Sequence, residues 1–152
     1  MKFDGAVIEN LQVTQEEIDE AFAGMDPYFL ETLRQAAANI ENFHRQQVHK
    51  NFVVNDKPGI VLGQKYTPIE KAGVYVPGGT AAYPSTVLMD VIPAKVAGVA
   101  EIVMTTPAGK DGKVNPVILA AAATAGVTKI FRPAAHRPWR RWLRYPEHPG
   151  GG

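Results

Sequence analysis

The sequence predicts an α/β protein in which N-terminal helices and short strands lead into a βαβαβ unit built on a parallel sheet. Short apolar runs at 74–76, 101–105 and 129–131 have the length and composition of buried strands. Helix-like segments lie between them, at about 85–97 and 116–126. The connections between these segments are short. Strands and helices that alternate in this way favour a parallel sheet with right-handed crossovers.

Two N-terminal helices are predicted from their capping residues. Thr14 and Glu17 have the spacing of a capping box, and Gly24 marks the end of the first helix. Asp26 as N-cap and Pro27 at the first helical position begin the second helix. Apolar residues recur in the second helix at steps of three or four: Phe29, Leu33, Ala36, Ile40 and Phe43. One face of that helix is therefore expected to be buried.

Extended structure is predicted between the helices and the βαβαβ unit. Runs at 52–54, 60–66 and 69–77 read as short extended segments. Lys57-Pro58-Gly59 and Thr67-Pro68 mark the turns between them, because proline and glycine favour turn geometry.

Proline, glycine and asparagine set the boundaries inside the βαβαβ unit. Its first strand ends at Pro77-Gly78-Gly79, and its first helix ends near Gly98. Pro93 lies inside that helix and predicts a kink or an early end. Asn115-Pro116 starts the second helix, which runs to Gly126.

Composition indicates a globular protein without membrane segments. The chain has 152 residues, of which 45% are hydrophobic and 20% charged, and it has no cysteine. No apolar run approaches the ~20 residues that cross a bilayer, and the N-terminus lacks the pattern of a signal peptide. A cytoplasmic protein with no membrane partner is therefore expected.

The Gly78-Gly79 loop is the best candidate for a binding site. It follows a predicted parallel strand and precedes a helix, which is where open α/β sheets bind ligands. Glycines let a backbone approach a bound group, and a helix N-terminus offers amides to an anion. The loop is neither a GxGxxG motif nor a P-loop, so a tight structural turn and a cofactor loop remain equal alternatives. Tyr75, just before it, could contact a nucleotide or be an ordinary strand residue.

The histidines do not predict a metal site. His44 and His49 are five residues apart, whereas helical zinc pairs use a spacing of four. His136 and His148 have no acidic partner at a recognisable spacing. No nucleophilic triad is apparent either, so the residues alone predict no catalytic group and no metal ligand.

The segment that begins at Ala72, AGVYVPGGTAAYPSTVLMDVIPAKVAGVAEIVMTTP, closely resembles the start of the cofactor domain of histidinol dehydrogenases. The upstream strings KFD, VTQEEIDEA and NIENFH are also similar to that family. The resemblance covers residues 2–132. A PGG match alone would mean little, but the whole ordered string is highly specific.

This resemblance implies a cytoplasmic enzyme of histidine biosynthesis that oxidises L-histidinol to L-histidine in two NAD-dependent steps through an aldehyde. It also implies a homodimer, a zinc cofactor and a fold similar to that of aldehyde dehydrogenases. Tyr75 corresponds to a tyrosine that contacts NAD in the family. Pro77, Gly78 and Gly79 correspond to the adjoining loop, without a named contact.

The resemblance also implies that this chain is a fragment. Residues 1–50 would be an N-terminal helical segment, and residues 51–132 a partial Rossmann-like NAD-binding domain. The family's zinc ligands, its catalytic Glu-His pair and its histidinol contacts correspond to nothing in this chain, so we expect an inactive piece. An open apolar sheet edge is expected at Ile130-Phe131. The alternative is a non-enzymatic binding or assembly module with a basic tail.

Residues 133–152 are expected to form an irregular tail, and their sequence does not resemble the family. They carry four arginines and one glutamate, whereas the rest of the chain is slightly acidic. The tail could bind nucleic acid or be an irregular Pro- and Gly-rich end, but the body gives no reason to expect a nucleic-acid partner. We favour a frameshift. In a GC-rich gene, codons for AAHRPWRRW and LRYPEHPGGG, read in shifted frames, can encode the family-like strings GGAQAVAAL and YGTRSIPAVD.

Overall fold

A computed structural model describes residues 10–78 and 82–132, and every structural statement refers to these residues. The α/β class is confirmed. The elements in chain order are α1 Gln15–Ala23, α2 Pro27–Arg45, β1 Phe52–Lys57, β2 Ile60–Gln64, β3 Lys71–Tyr75, α3 Pro84–Val96, β4 Glu101–Thr105, α4 Pro116–Ala125 and β5 Lys129–Phe131.

The caps of α1 and α2 are those that the sequence predicts. The Glu17 amide donates to the Thr14 hydroxyl at 3.3 Å, and the Thr14 amide donates to the Glu17 carboxylate at 3.0 Å. Asp26 accepts from the amide of Tyr28 at 2.8 Å. The buried face of α2 differs at its end from the prediction, because Phe43 is 64% exposed. Leu33 is buried as expected.

Strands β3, β4 and β5 form a parallel sheet in that order. Ile102, Met104 and Ile130 point from one face of this sheet into the core. The four helices pack on that side, where α3 and α4 contact each other and α1 and α2 close over them. The residues that alternate with the buried ones, such as Val103, are only half-buried on the opposite face.

Helix α3 runs past Pro93 to Val96, which confirms the predicted span of about 85–97; of the two alternatives at Pro93, the early end was wrong. A proline in a helix removes the hydrogen bond to the carbonyl four residues earlier, here that of Met89. Met89 lies on the exposed side of the helix. Water can therefore satisfy the carbonyl that Pro93 leaves free, and packing of Val91 and Ile92 into the core holds the last turn.

The outer edge of β5 is covered, so the expected open edge was wrong. Gln12 forms an antiparallel bridge with Phe131. The Val13 amide donates to the Ile130 carbonyl at 2.9 Å, and the Arg132 amide donates to the Leu11 carbonyl at 2.8 Å. The segment before α1 thus serves as a short fourth strand.

Strands β1 and β2 form a separate antiparallel hairpin around Pro58-Gly59. Gly59 has φ +76°, as the second central residue of a type II turn after proline requires. Within the described ranges no helix or other strand packs on this hairpin. None of the described helices is both long and apolar enough to cross a membrane.

Candidate cofactor site

Tyr75 is the last residue of β3, at the carboxyl end of the parallel sheet. It pairs with Thr105 of β4, and its side chain is 55% exposed. The next residue, Val76, is fully buried, and its amide donates to the Thr105 carbonyl at 2.9 Å. Because successive strand residues point to opposite faces, burial of Val76 directs the Tyr75 ring to the face that the helices leave open.

Gly78 brings the loop after β3 against the loop after β4. A Cβ atom at Gly78 would lie 2.8 Å from Cγ of Pro107 and 3.0 Å from its carbonyl oxygen. The absence of a side chain is therefore required for contact between the two loops. Pro77 precedes this contact and is exposed. Gly79 lies outside the described residues, so its expected role stays a prediction.

The N-terminus of α3 has no side-chain cap. Tyr83 occupies the N-cap position without a side-chain hydrogen bond, and Pro84 begins the helix. The first turn contains no acidic residue. Pro84 has no amide hydrogen and the Thr86 amide donates to the Tyr83 carbonyl at 3.2 Å, so these two residues offer no free amide. The partial positive charge of the helix end is what suits an anion such as a phosphate.

Thr105 and Thr106 lie at the same end of the sheet as Tyr75, and the sequence did not lead us to predict them there. Thr105 lies directly opposite Tyr75, and its hydroxyl donates to the Val74 carbonyl at 3.3 Å. Thr106 is buried, and its amide donates to the Phe131 carbonyl at 3.0 Å. The signal was present, because Thr-Thr-Pro ends the second parallel strand just as Tyr-Val-Pro ends the first.

The charged cluster of the sheet lies at the opposite end from Tyr75. Glu101 accepts from Lys71 and Lys129, each at 2.9 Å, at the amino ends of the three strands. Hydrogen bonds from Lys71, and then from Lys129, hold the pKa of Glu101 below its usual value. The same bond raises the pKa of Lys71. These ion pairs join the amino ends of the three strands and do not form part of the candidate site at the carboxyl ends.

The described residues do not fit a zinc ion. They contain no group of three or more His, Cys, Asp or Glu side chains that could hold a metal. Nδ1 of His44 lies 2.6 Å from Oε1 of Gln47, and the ring of His49 stacks on Tyr66 with centroids 4.7 Å apart. The first two histidines thus have local partners, whereas His136 and His148 lie outside the described residues.

Comparisons with known proteins point to one family. The sequence model of histidinol dehydrogenases matches residues 1–135. The chain is 53% identical over 131 residues to the histidinol dehydrogenase of Chlorobaculum tepidum and 52% identical over 131 residues to that of Geobacillus kaustophilus. Each match covers 86% of this chain and 31% of the relative. The chain therefore spans less than a third of the length of these relatives.

A solved structure agrees with the sequence matches. The crystal structure of histidinol dehydrogenase from Elizabethkingia anophelis superposes with a TM-score of 0.81 at 36% identity. The superposition covers 86% of this chain and 30% of that one. The described fold is therefore similar to one part of a much longer oxidoreductase.

Proposed function

Because this chain belongs to the histidinol dehydrogenase family of oxidoreductases, we propose that it forms the first part of an NAD-binding domain for the oxidation of L-histidinol to L-histidine. The observation that carries the proposal is the exposed ring of Tyr75 at the carboxyl end of β3. Open α/β sheets bind nucleotides at that end of their strands.

In this proposal, different residues around Tyr75 bind different parts of the dinucleotide. The Tyr75 ring offers a flat surface for a nucleotide ring and a hydroxyl for a hydrogen bond. The N-terminus of α3, which starts at Pro84, would attract the diphosphate. Contact between Gly78 and Pro107 holds the loop after β3 against the loop after β4. NAD, when bound, supplies the acceptor for a hydride.

In this proposal, the residues that bind zinc and histidinol and the residues that react lie in the parts of the longer family members that this chain does not match. No step through zinc is assigned to this chain, because its described residues contain no suitable ligand group. We further propose that the complete enzyme is a cytoplasmic homodimer, as family membership implies. The chain alone would then bind NAD weakly and would not oxidise histidinol.

Titration of the whole chain with NADH tests the proposed cofactor site. We expect saturable enhancement of NADH fluorescence with a weak affinity, and at least a roughly fivefold loss of affinity for Tyr75→Ala, in the range of one lost contact. Tyr28→Ala is the matched control, because Tyr28 is an exposed tyrosine on α2. Absence of saturable binding by the unaltered chain, or equal losses in both variants, would overturn the proposal.

A further inference from the structure

We propose that the outer edge of β2 pairs antiparallel with β2 of a second copy of this chain. The two hairpins would then form one four-stranded sheet in the order β1-β2-β2-β1. The inference rests on the proposed homodimer and names its surface, but it does not depend on the NAD site.

The hairpin is an apolar surface without a partner. Its six large apolar side chains are all exposed, from 41% for Val54 to 71% for Val53; the others are Phe52, Ile60, Val61 and Leu62. No described helix or other strand packs on them. An isolated two-stranded hairpin is marginally stable in water, whereas three or more strands can be stable. The hairpin therefore needs further strands or another cover.

Of the two strand edges, that of β2 is the less protected. The five residues Ile60–Gln64 include no charged residue and no proline. Strand β1 instead ends with Asp56 and Lys57, where a shift in register also interrupts the pairing. Charges and irregularities of this kind are what normally prevent edge-to-edge association. The free edge of β2 lacks them.

Strand β2 is compatible with its own copy. If a two-fold axis passes through Leu62, each Ile60 lies opposite Gln64 of the second copy and each Val61 lies opposite Gly63. Gly63 has no room for a side chain, because a Cβ atom would lie 2.8 Å from the Phe52 carbonyl oxygen. Val61 of one copy can therefore cover the bare backbone at Gly63 of the other, and no like charges meet.

The equivalent pairing of β1 with itself is poorer. An axis at Asn55 would place Val53 opposite Lys57 of the second copy, and Val54 opposite Asp56. Apolar groups would then face charges that lose water without gaining a partner. Self-pairing is therefore more favourable for β2 than for β1, and we assign the contact with the second copy to β2.

Sedimentation of the full chain over a range of concentrations tests the pairing. We expect a concentration-dependent dimer, and at least a roughly tenfold weaker association for Val61→Lys. Met89→Lys is the control, because Met89 is 62% exposed against 67% for Val61 but lies on α3. A monomer at all concentrations, or equal association of the two variants, overturns the proposal. Far-UV circular dichroism checks that both variants keep the fold.

Single cysteines test the register, since the natural chain has none. Directly opposed antiparallel residues have Cα atoms about 4.5–5.5 Å apart, within the range that a disulfide spans. Leu62→Cys should therefore form a disulfide-linked dimer at least roughly tenfold faster than Val53→Cys, whose two copies would be three strand spacings, about 14 Å, apart. Equal rates of disulfide formation in the two variants would exclude this pairing. NADH binding, measured on the same samples, tests the NAD site separately.

Discussion

Arg132 and Glu17, 115 residues apart in sequence, form an ion pair that ties the end of β5 to the start of α1. Nε of Arg132 also donates to the Asn10 carbonyl at 2.9 Å. The second oxygen of Glu17 accepts from the Thr14 amide, so the same carboxylate completes the capping box. One side-chain pair therefore joins a helix cap, the edge strand and the parallel sheet.

Loss of the Arg132 side chain should destabilise the whole fold. Arg132→Gln removes the guanidinium that pairs with one oxygen of Glu17 and donates to the Asn10 carbonyl, and we expect a loss of about 1–3 kcal/mol in the free energy of unfolding. Urea denaturation measures this loss. Arg34→Gln is the control, because the Arg34–Glu31 pair is more than half exposed on α2 and should contribute less than about 1 kcal/mol. Equal losses in the two variants would contradict the role given to Arg132.

The pH dependence of stability should report on Glu17. The hydrogen bond from Arg132 is the main cause that lowers the pKa of Glu17 below its ordinary value of 4.5. A lowered pKa in the folded state stabilises the protein above the unfolded value, and this contribution is lost as the pH falls through the folded value. The stability difference between the natural chain and Glu17→Gln should therefore be constant above about pH 5 and shrink below pH 4.5. A difference that grows on acidification would contradict this linkage.

The helix boundaries were predictable because they depend on hydrogen bonds between residues that are close in sequence. The Thr14–Glu17 box, the Asp26 cap and the Asn115 cap each satisfy amides within three residues of the capping side chain. Gly126 adopts φ +87° at the end of α4, a conformation that glycine accepts without strain. Alternation of apolar strands and helices was likewise enough to predict the parallel sheet.

The remaining features depend on contacts between distant segments. Nothing in the residues near Leu11 or Gln12 indicates that they pair with β5, and nothing near Arg132 points to Glu17. The closeness of Gly78 to Pro107 follows from two neighbouring strands ending at the same level. Such contacts are set by tertiary packing, which a single sequence does not reveal.

Gly78→Ala tests the contact between the two loops at the candidate site. The new Cβ atom would lie 2.8 Å from Cγ of Pro107, so one loop must move, and we expect a loss of stability of about 1–3 kcal/mol. Gly73→Ala is the matched control, because no atom lies within 4 Å of a Cβ atom at that position. Thermal unfolding of both variants gives the comparison. A neutral Gly78→Ala would show that the loops separate easily.

The gene sequence tests the frameshift hypothesis for residues 133–152. These residues lie outside the described structure, and the family match ends at residue 135. We predict that single-base shifts in the nucleotide sequence after the codon for Arg132 restore GGAQAVAAL and then YGTRSIPAVD. If no shifted frame encodes these strings, the tail is a genuine extension. Salt-dependent DNA binding that disappears on deletion of residues 133–152 would then support the assembly-module alternative.

An assay of histidinol oxidation tests whether this chain alone can catalyse the reaction. Transfer of a hydride from an alcohol to NAD also requires a group that accepts the alcohol proton and groups that hold the alcohol in place. The described residues next to Tyr75 offer a ring, hydroxyls and backbone amides. Two carboxylates at that end of the sheet already have partners, because Glu17 pairs with Arg132 after β5 and Asp111, in the loop after β4, accepts from the Lys113 amide at 3.1 Å. We therefore expect no histidinol-dependent formation of NADH by this chain. The full-length Chlorobaculum tepidum relative, assayed at equal concentration with added zinc, is the control. Turnover by this chain above the rate without histidinol would mean that it carries reactive groups that this structure does not assign.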